Sequence, residues 1–492
     1  MLLLYPVISF SQKTTKIDLI NANTLEYNKK LGENVKRLIG SVVLKHDSTI
    51  LYCDSAYLNS ESNSVDAFGH VRINSGTVII NGEVLNYDGN ARNAVIHRNV
   101  TMTDNNNKTT LTTDLLNYNT RTDIGNYTTG GKIVDPENVL TSKIGYYYAN
   151  KKEFFFKKNV VLINPKYTMH SDTLMYNTAT EISYFYGPTT IVSKENFIYC
   201  ENGWYNSKTD VSQFNKNAYL KNKDQKISGD SLYYERQTGY GKALNNITAV
   251  DTIQKVTIKG NYGEFWEKTG KTVVTRKALL IQAVEKDSLF LHADTLKAFT
   301  DSTGAGKRMY AYHHAKFFKS DMQGVADSIY YSFRDSVMYM YKRPMLWTDK
   351  NQLSGDTITL HLSHGEIKQL NIYSSSFIIS KDDTNRFNQI KGRNIVGHFI
   401  ANKLNKINVY GNGETIYYVR DDKTKLIGVN KAEAENLLIF VKENAIKTIT
   451  FLSKPDAVLY PEKDLSTNDV RLKNFKWEEE NRPCDRDDIF FP

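Results

Sequence analysis

A short box recurs along this chain at a nearly fixed interval, and that interval limits what the chain can fold into. Its acid-like position is held by Asp54, Glu83, Asp114, Lys143, Asp172, Glu201, Asp230, Asn261, Asp294, Asp327 and Asp356, and more loosely by Arg393 and Glu435. Successive spacings are 29, 31, 29, 29, 29, 29, 31, 33, 33, 29, 37 and 42 residues. Such a period marks a repeat architecture, in which each unit buries its apolar face only by stacking on its neighbours. The drift upward at the end places longer loops in the C-terminal repeats.

Each repeat carries two boxes. The first runs apolar, any, small, acid-like, hydroxyl, apolar, with an aromatic two further on, as in LTTDLLNY (111–118), MHSDTLMY (169–176), ISGDSLYY (227–234) and LSGDTITL (353–360). The second is a Gly, Asn or other polar residue followed by alternating apolar positions, as in GHVRI (69–73), RNVTM (98–102), KNVVLI (158–163) and NNITAV (245–250). Period-2 alternation and β-branched and aromatic content make both boxes strands. Turn formers such as YDGNAR (87–92) and YNTRTD (118–123) separate them. Abundant Tyr (32) and Phe (22) beside scarce Pro (9) favour the same class.

Phase inside the first box adds a constraint. The apolar and small residues sit at −3 and −1 from the acid, but the later apolar pair sits at +2 and +4. Alternate side chains face opposite sides of a strand, so a straight strand cannot turn both sets inward. The strand must bend or bulge beside the small-acid pair. The expected fold is all-β: an elongated, repetitive β-taco or jelly-roll of about thirteen two-strand rungs. Two facing sheets, one strand of each rung in each, enclose an apolar interior. Residues 12–250 read as N-terminal repeats, 251–461 as C-terminal repeats of the same roll, and 462–492 as an acidic, aromatic tail. Cys53 and Cys200 share the −1 position five rungs apart, about 24 Å, which is too far for a disulfide.

Residues 1–11, MLLLYPVISFS, resemble the apolar part of a secretory signal peptide without its basic start, so export is expected and the recorded start looks truncated. Net charge is +9 and suits an anionic partner, but no Lys/Arg block points to nucleic acid. Catalysis needs unlike groups that converge. The adjacent pair His313-His314 would point its rings apart, and the motifs of zinc proteases, thiol redox sites and serine hydrolases are missing. DSTGAGKRM (301–309) only faintly resembles a phosphate loop and falls in a turn slot. Lys143, Asn261 and Arg393 interrupt the row of acids, which argues against a metal ladder and for local hydrogen bonding at a turn. No enzyme, metal or cofactor is expected.

The remaining candidate site is the apolar stripe itself. Its first-box members are Leu116, Tyr118, Leu174, Tyr176, Leu232, Tyr234, Ile329, Tyr331, Ile358 and Leu360. Its second-box members are Val71, Ile73, Val100, Met102, Val160 and Leu162. Periodicity alone leaves two readings: a dry core, or a greasy groove for acyl chains.

SDTLMYN (171–177) and GDSLYYE (229–235), each with its second box, resemble the OstA-like (organic solvent tolerance protein A) family over roughly residues 25–460. That family includes the periplasmic bridge protein of lipopolysaccharide transport and the N-terminal domain of its outer-membrane partner. The tandem arrangement and the signal-like VISFSQ (7–12) are similar to long members from the Bacteroidetes group. The resemblance implies a β-jelly-roll whose interior holds lipid A acyl chains. It implies a periplasmic bridge, associated with the outer membrane, that carries lipopolysaccharide outward. Expected partners are lipopolysaccharide, other transport proteins joined by edge-strand addition, and further copies of the chain head to tail. The rival functions are a structural or adhesive β-solenoid without a groove and a β-helix enzyme that degrades polysaccharide. The greater length and the tail FKWEEENRPCDRDDIFFP (475–492) depart from the short family form.

Overall fold

The computed structural model describes residues 15–491, apart from 28–29, 31, 106–107, 285–286, 301–306, 364–365, 402, 422, 424 and 443–444. The signal-like segment 1–11 and most of the faint phosphate-loop motif lie outside the described residues. Among the described residues the protein is all-β, with 34 strands and only single-turn 3-10 helices. No helix is long and apolar enough to cross a membrane. The chain divides into two compact units, residues 1–223 and 224–492. Within each unit, successive strands of mostly 10–14 residues pair antiparallel with their sequence neighbours.

The bend demanded by strand phase is present in both units. In Tyr167–Asn177, Ser171 pairs with Thr189 and Thr173 with Tyr186, so the register breaks at Asp172. Met169, Ser171 and Leu174 are therefore all buried although their parity differs. The neighbouring strand breaks by two residues rather than one. These two adopt left-handed backbone at corner after corner: Arg98-Asn99, Lys158-Asn159, Lys216-Asn217, Asn245-Asn246, Arg276-Lys277 and His313-His314 all have φ between 50° and 63°. Left-handed φ is uncommon for residues with a Cβ, and Asn tolerates it best. The polar pair that opens each second box is thus the inner turn of the corner.

Acids of the first box stand beside these pairs. Asp54 accepts from His70 Nδ1 (2.7 Å), Glu201 from Asn217 (2.9 Å) and Asp230 from Asn246 (3.0 Å). His314 reaches Asp294 on one neighbouring strand and His313 reaches Asp327 on the other, so the two rings do part. The recurrent acid is a corner fastener.

Because each long strand turns at its middle, one strand supplies both walls. The walls are two halves of the same strands, which refines the one-strand-per-sheet picture read from the boxes. Hairpin turns then fall into two rows, the rims of a mouth opposite the corner. One rim is stacked by backbone hydrogen bonds from turn to turn: Gly89 N to Asn63 O (2.8 Å), Thr120 N to Arg92 O (2.9 Å) and Thr178 N to Lys152 O (2.9 Å). The second unit repeats the pattern from Thr300 N to Gly270 O (3.0 Å) and Leu362 N to Ser336 O (2.8 Å). Asn59, Asp88, Asn119, Asn177 and Asn206 start these turns by accepting two backbone N–H groups each. Their short carboxyl and amide side chains mimic a backbone turn.

Candidate functional site

Strand register assembles the sixteen candidate residues into interior rows. In the first unit, Ile73, Ile80, Met102, Leu111, Ile133, Leu140, Leu162 and Met169 follow one another across paired strands. Tyr118 leads through Gly125, Tyr147 and Phe154 to Tyr176. In the second unit, Leu232 leads through Ala243, Gly263, Val274, Leu296 and Ala311 to Ile329, Met340 and Ile358. Tyr331, Met338 and Leu360 form a parallel row nearer the mouth. Val71, Ile73, Val100, Met102, Leu116, Tyr118, Val160, Leu174, Ile329, Ile358 and Leu360 are buried. Leu162, Tyr176, Leu232, Tyr234 and Tyr331 are only partly so.

The two units fill their interiors differently. In the second unit, a cavity of about 590 Å³ lies between the rims. Leu280, Leu289, Leu291 and Met322 line it from one half of the strands; Met309, Tyr331, Phe333, Met338, Leu360, Leu362, Phe399 and Leu404 line it from the other. Lys319, Asp321 and Lys403 stand among its lining residues. That size and that mix of apolar wall with few polar groups suit a ligand. Only Tyr331 and Leu360 of the sixteen candidates reach this cavity. Phe333 and Leu362 lie two residues beyond candidates of the same rungs, and others come from rungs from which no candidate had been drawn. A count along the same register finds Leu291 at −3 from Asp294, for example.

Residues 14–172 and 168–230 match the sequence model of the OstA-like protein family. Residues 282–366 match that of the LptA/(LptD N-terminal domain) LPS transport protein family. Together the matches span more than half of the 492 residues. The chain belongs to the OstA-like / LptA–LptD N-terminal family. Among solved structures, similarity was found to LptH, the LptA homologous periplasmic component of the lipopolysaccharide transport device from Pseudomonas aeruginosa. The identity is 12%, over 29% of this chain and 79% of that one, with a TM-score of 0.16. The assignment rests on the family matches, not on that likeness. No curated protein matches the sequence.

Within this OstA-like chain, residues 35–156 form a closed stretch of the first unit where the second unit is open. Interior voids in that stretch measure about 10 Å³ each, barely room for one water. Tyrosines from one rim reach polar groups on the other. Tyr87 Oη meets His46 Nδ1 at 2.7 Å, and Tyr147 Oη donates to Asp104 Oδ2 at 2.7 Å. Tyr118 bonds to Ser75 across the mouth and to Asp123 Oδ1 (2.9 Å) on its own rim. His46, Ser75 and Asp104 each end a strand and are buried, so each hydroxyl satisfies a polar group that would otherwise be costly to enclose. Burial pushes the Tyr87 and Tyr118 phenols up, so both stay protonated at neutral pH. No sequence motif announced this series, because each tyrosine's partner lies 41 or 43 residues earlier. Sequence reasoning had placed Tyr118 in the same stripe as Tyr331, but Tyr118 is a latch in a sealed core.

Among the described residues no cluster of His, Cys, Asp or Glu has metal-site geometry. Cys53 and Cys200 are free and buried, and burial pushes both thiols up to about 12.

Proposed function

We propose that this protein is a periplasmic, non-enzymatic carrier that holds lipopolysaccharide acyl chains in the mouth cavity of residues 224–492 and passes the lipid toward the outer membrane. The observation that carries the reading is the 590 Å³ apolar cavity between the rims. Each acyl CH₂ buried there contributes about 0.8 kcal/mol, and no covalent chemistry is required. Lys403 on the lining would meet an anionic headgroup substituent, whereas Lys319 is already paired with Asp321 and Asp287. Membership of a lipopolysaccharide-transport family supports the choice of ligand.

Association with other transport proteins, or head to tail with further copies, would use the terminal strands. Among the described residues Asp18–Asn21 and Thr24–Tyr27 pair only with Val35–His46, and Ile20, Leu25 and Tyr27 on them are exposed. Near the C-terminus, among the described residues, Asp456–Tyr460 pairs only with Leu426–Lys442, leaving Val458 and Leu459 exposed. Edges of this kind accept another strand. For residues 35–156 alone, the packed interior favours the second reading, a structural β-solenoid.

Leu362→Trp tests the carrier reading by filling the cavity from its half-buried wall. Purified full chain should lose lipopolysaccharide affinity by about tenfold or more while its melting temperature stays within a few degrees. Unchanged affinity in a folded variant would remove the cavity from the account.

A further inference from the structure

The tail, which the repeats did not absorb, lies against the outer side of the second unit. Gln323, Trp347, Gln352, Ile379, Gln389 and Ile416 form one outward row across paired strands. The three glutamines hold the tail. Gln389 donates to Val470 O and accepts from Leu472 N, both at 2.8 Å. Gln352 donates to Lys476 O and accepts from Glu478 N, again at 2.8 Å. Gln323 accepts from Arg482 Nε at 2.8 Å. All three side chains are buried, so these bonds form away from water.

The strands beneath the middle of the tail differ from their neighbours. Here the strand does not run through the corner. Met345–Thr348 is cut from Val337–Tyr341 at Lys342-Arg343-Pro344, and Asn351–Ser354 from Thr357–Ser363 at Gly355-Asp356. The result is a short hairpin, 345–354, cut from its own strands at two breaks and held sideways by short ladders to Met322–Ser332 and Glu366–Lys381. Its tip contributes Thr348, Asp349 and Asn351 to the cavity lining. Arg482 Nη1 donates to Asp349 O at 2.9 Å, so the tail grips the hairpin both at its tip and through Gln352.

We propose that residues 466–482 are a strap that holds this hairpin in line with its neighbours and thereby sets how far the mouth of the cavity opens. Removing the strap leaves the hairpin held by these two short ladders alone, so that it opens locally more often than the continuous strands beside it. The proposal concerns motion alone and stands whatever ligand the cavity takes.

Amide hydrogen exchange on the full chain tests it without any ligand. Gln352→Ala removes two of the three strap bonds at the hairpin, leaving Arg482 to Asp349 O; Gln389→Ala removes the equivalent pair on a nearby continuous strand. Gln352→Ala should speed exchange within 345–354 by about tenfold, and Gln389→Ala should leave it unchanged. Glu478→Pro deletes the N–H donated to Gln352 without touching the sheet and should repeat the Gln352→Ala result, which separates strap release from damage to the wall. Unchanged exchange at 345–354 in both Gln352→Ala and Glu478→Pro overturns the proposal. So does a rise spread evenly through 224–460.

Discussion

Tyr147 shows how one side chain decides whether a rung is open. Its hydroxyl crosses the mouth to Asp104, a carboxylate that is only 4% exposed. Tyr147→Phe keeps the ring but removes that bond. It should destabilise the first unit by about 1–3 kcal/mol, read as a shift in the urea midpoint. The cysteines give a second residue-scale expectation. Cys53 and Cys200 are buried thiols held near 12, whereas Cys484 is exposed. The native chain should react with a thiol reagent at Cys484 alone, and at all three cysteines only after unfolding. Fast labelling of more than one thiol in the native state would contradict the packing described. A third follows from Asp327, whose carboxyl is held down at about 2, first by the Ser328 hydroxyl, then by Lys342 and His313. A lowered folded value means its contribution is present above the ordinary carboxylate range near 3.8 and is lost as pH falls from there toward 2. Asp327→Asn should flatten the acid limb of the stability profile in that window. The group is partly exposed and solvent-screened, so the effect stays below about 1 kcal/mol.

At the scale of the strand, the corner is the defining element. The opposite parity of the −1 and +2 positions demanded a bend, and the register breaks where that argument put it, at Asp172. The acids were legible as local fasteners because Lys143 and Arg393 could replace them. The left-handed pair was not legible. Side-chain period reports which residues face inward, and a two-residue insertion leaves that period unchanged. Arg98-Asn99 and Lys158-Asn159 therefore read as ordinary strand starts. Backbone strain makes the corner testable. Asn246 has φ of 50° and donates to Asp230. Asn246→Val should cost about 1–2 kcal/mol, while Asn246→Gly should cost less, because glycine accepts left-handed backbone freely. Equal losses in the two variants would mean that the hydrogen bond, not the backbone, defines the corner. The strap was hidden for a different reason. Gln323, Gln352 and Gln389 all stand four residues before their acid-like positions, but a polar outward residue on a strand looks solvated until the segment that covers it is seen.

At the scale of the whole molecule, two units built on one repeat have different interiors. The stripe along both was legible, and so was the choice it posed between dry core and groove. The sequence could not make that choice, because each outcome depends on what meets across the mouth. Between residues 35 and 156 tyrosine hydroxyls meet buried polar groups and the interior closes. In the second unit the rims stand apart over a cavity lined by Met309, Tyr331, Met338 and Leu360. A site-specific photo-crosslinker scanned along the interior of the full-length protein in cells tests this division most directly. Probes at Tyr331 and Leu360 should capture lipopolysaccharide, and probes at Leu116 and Tyr118 should not. Capture at Leu116 and Tyr118 equal to that at Leu360, or no capture at any interior position, would contradict the account.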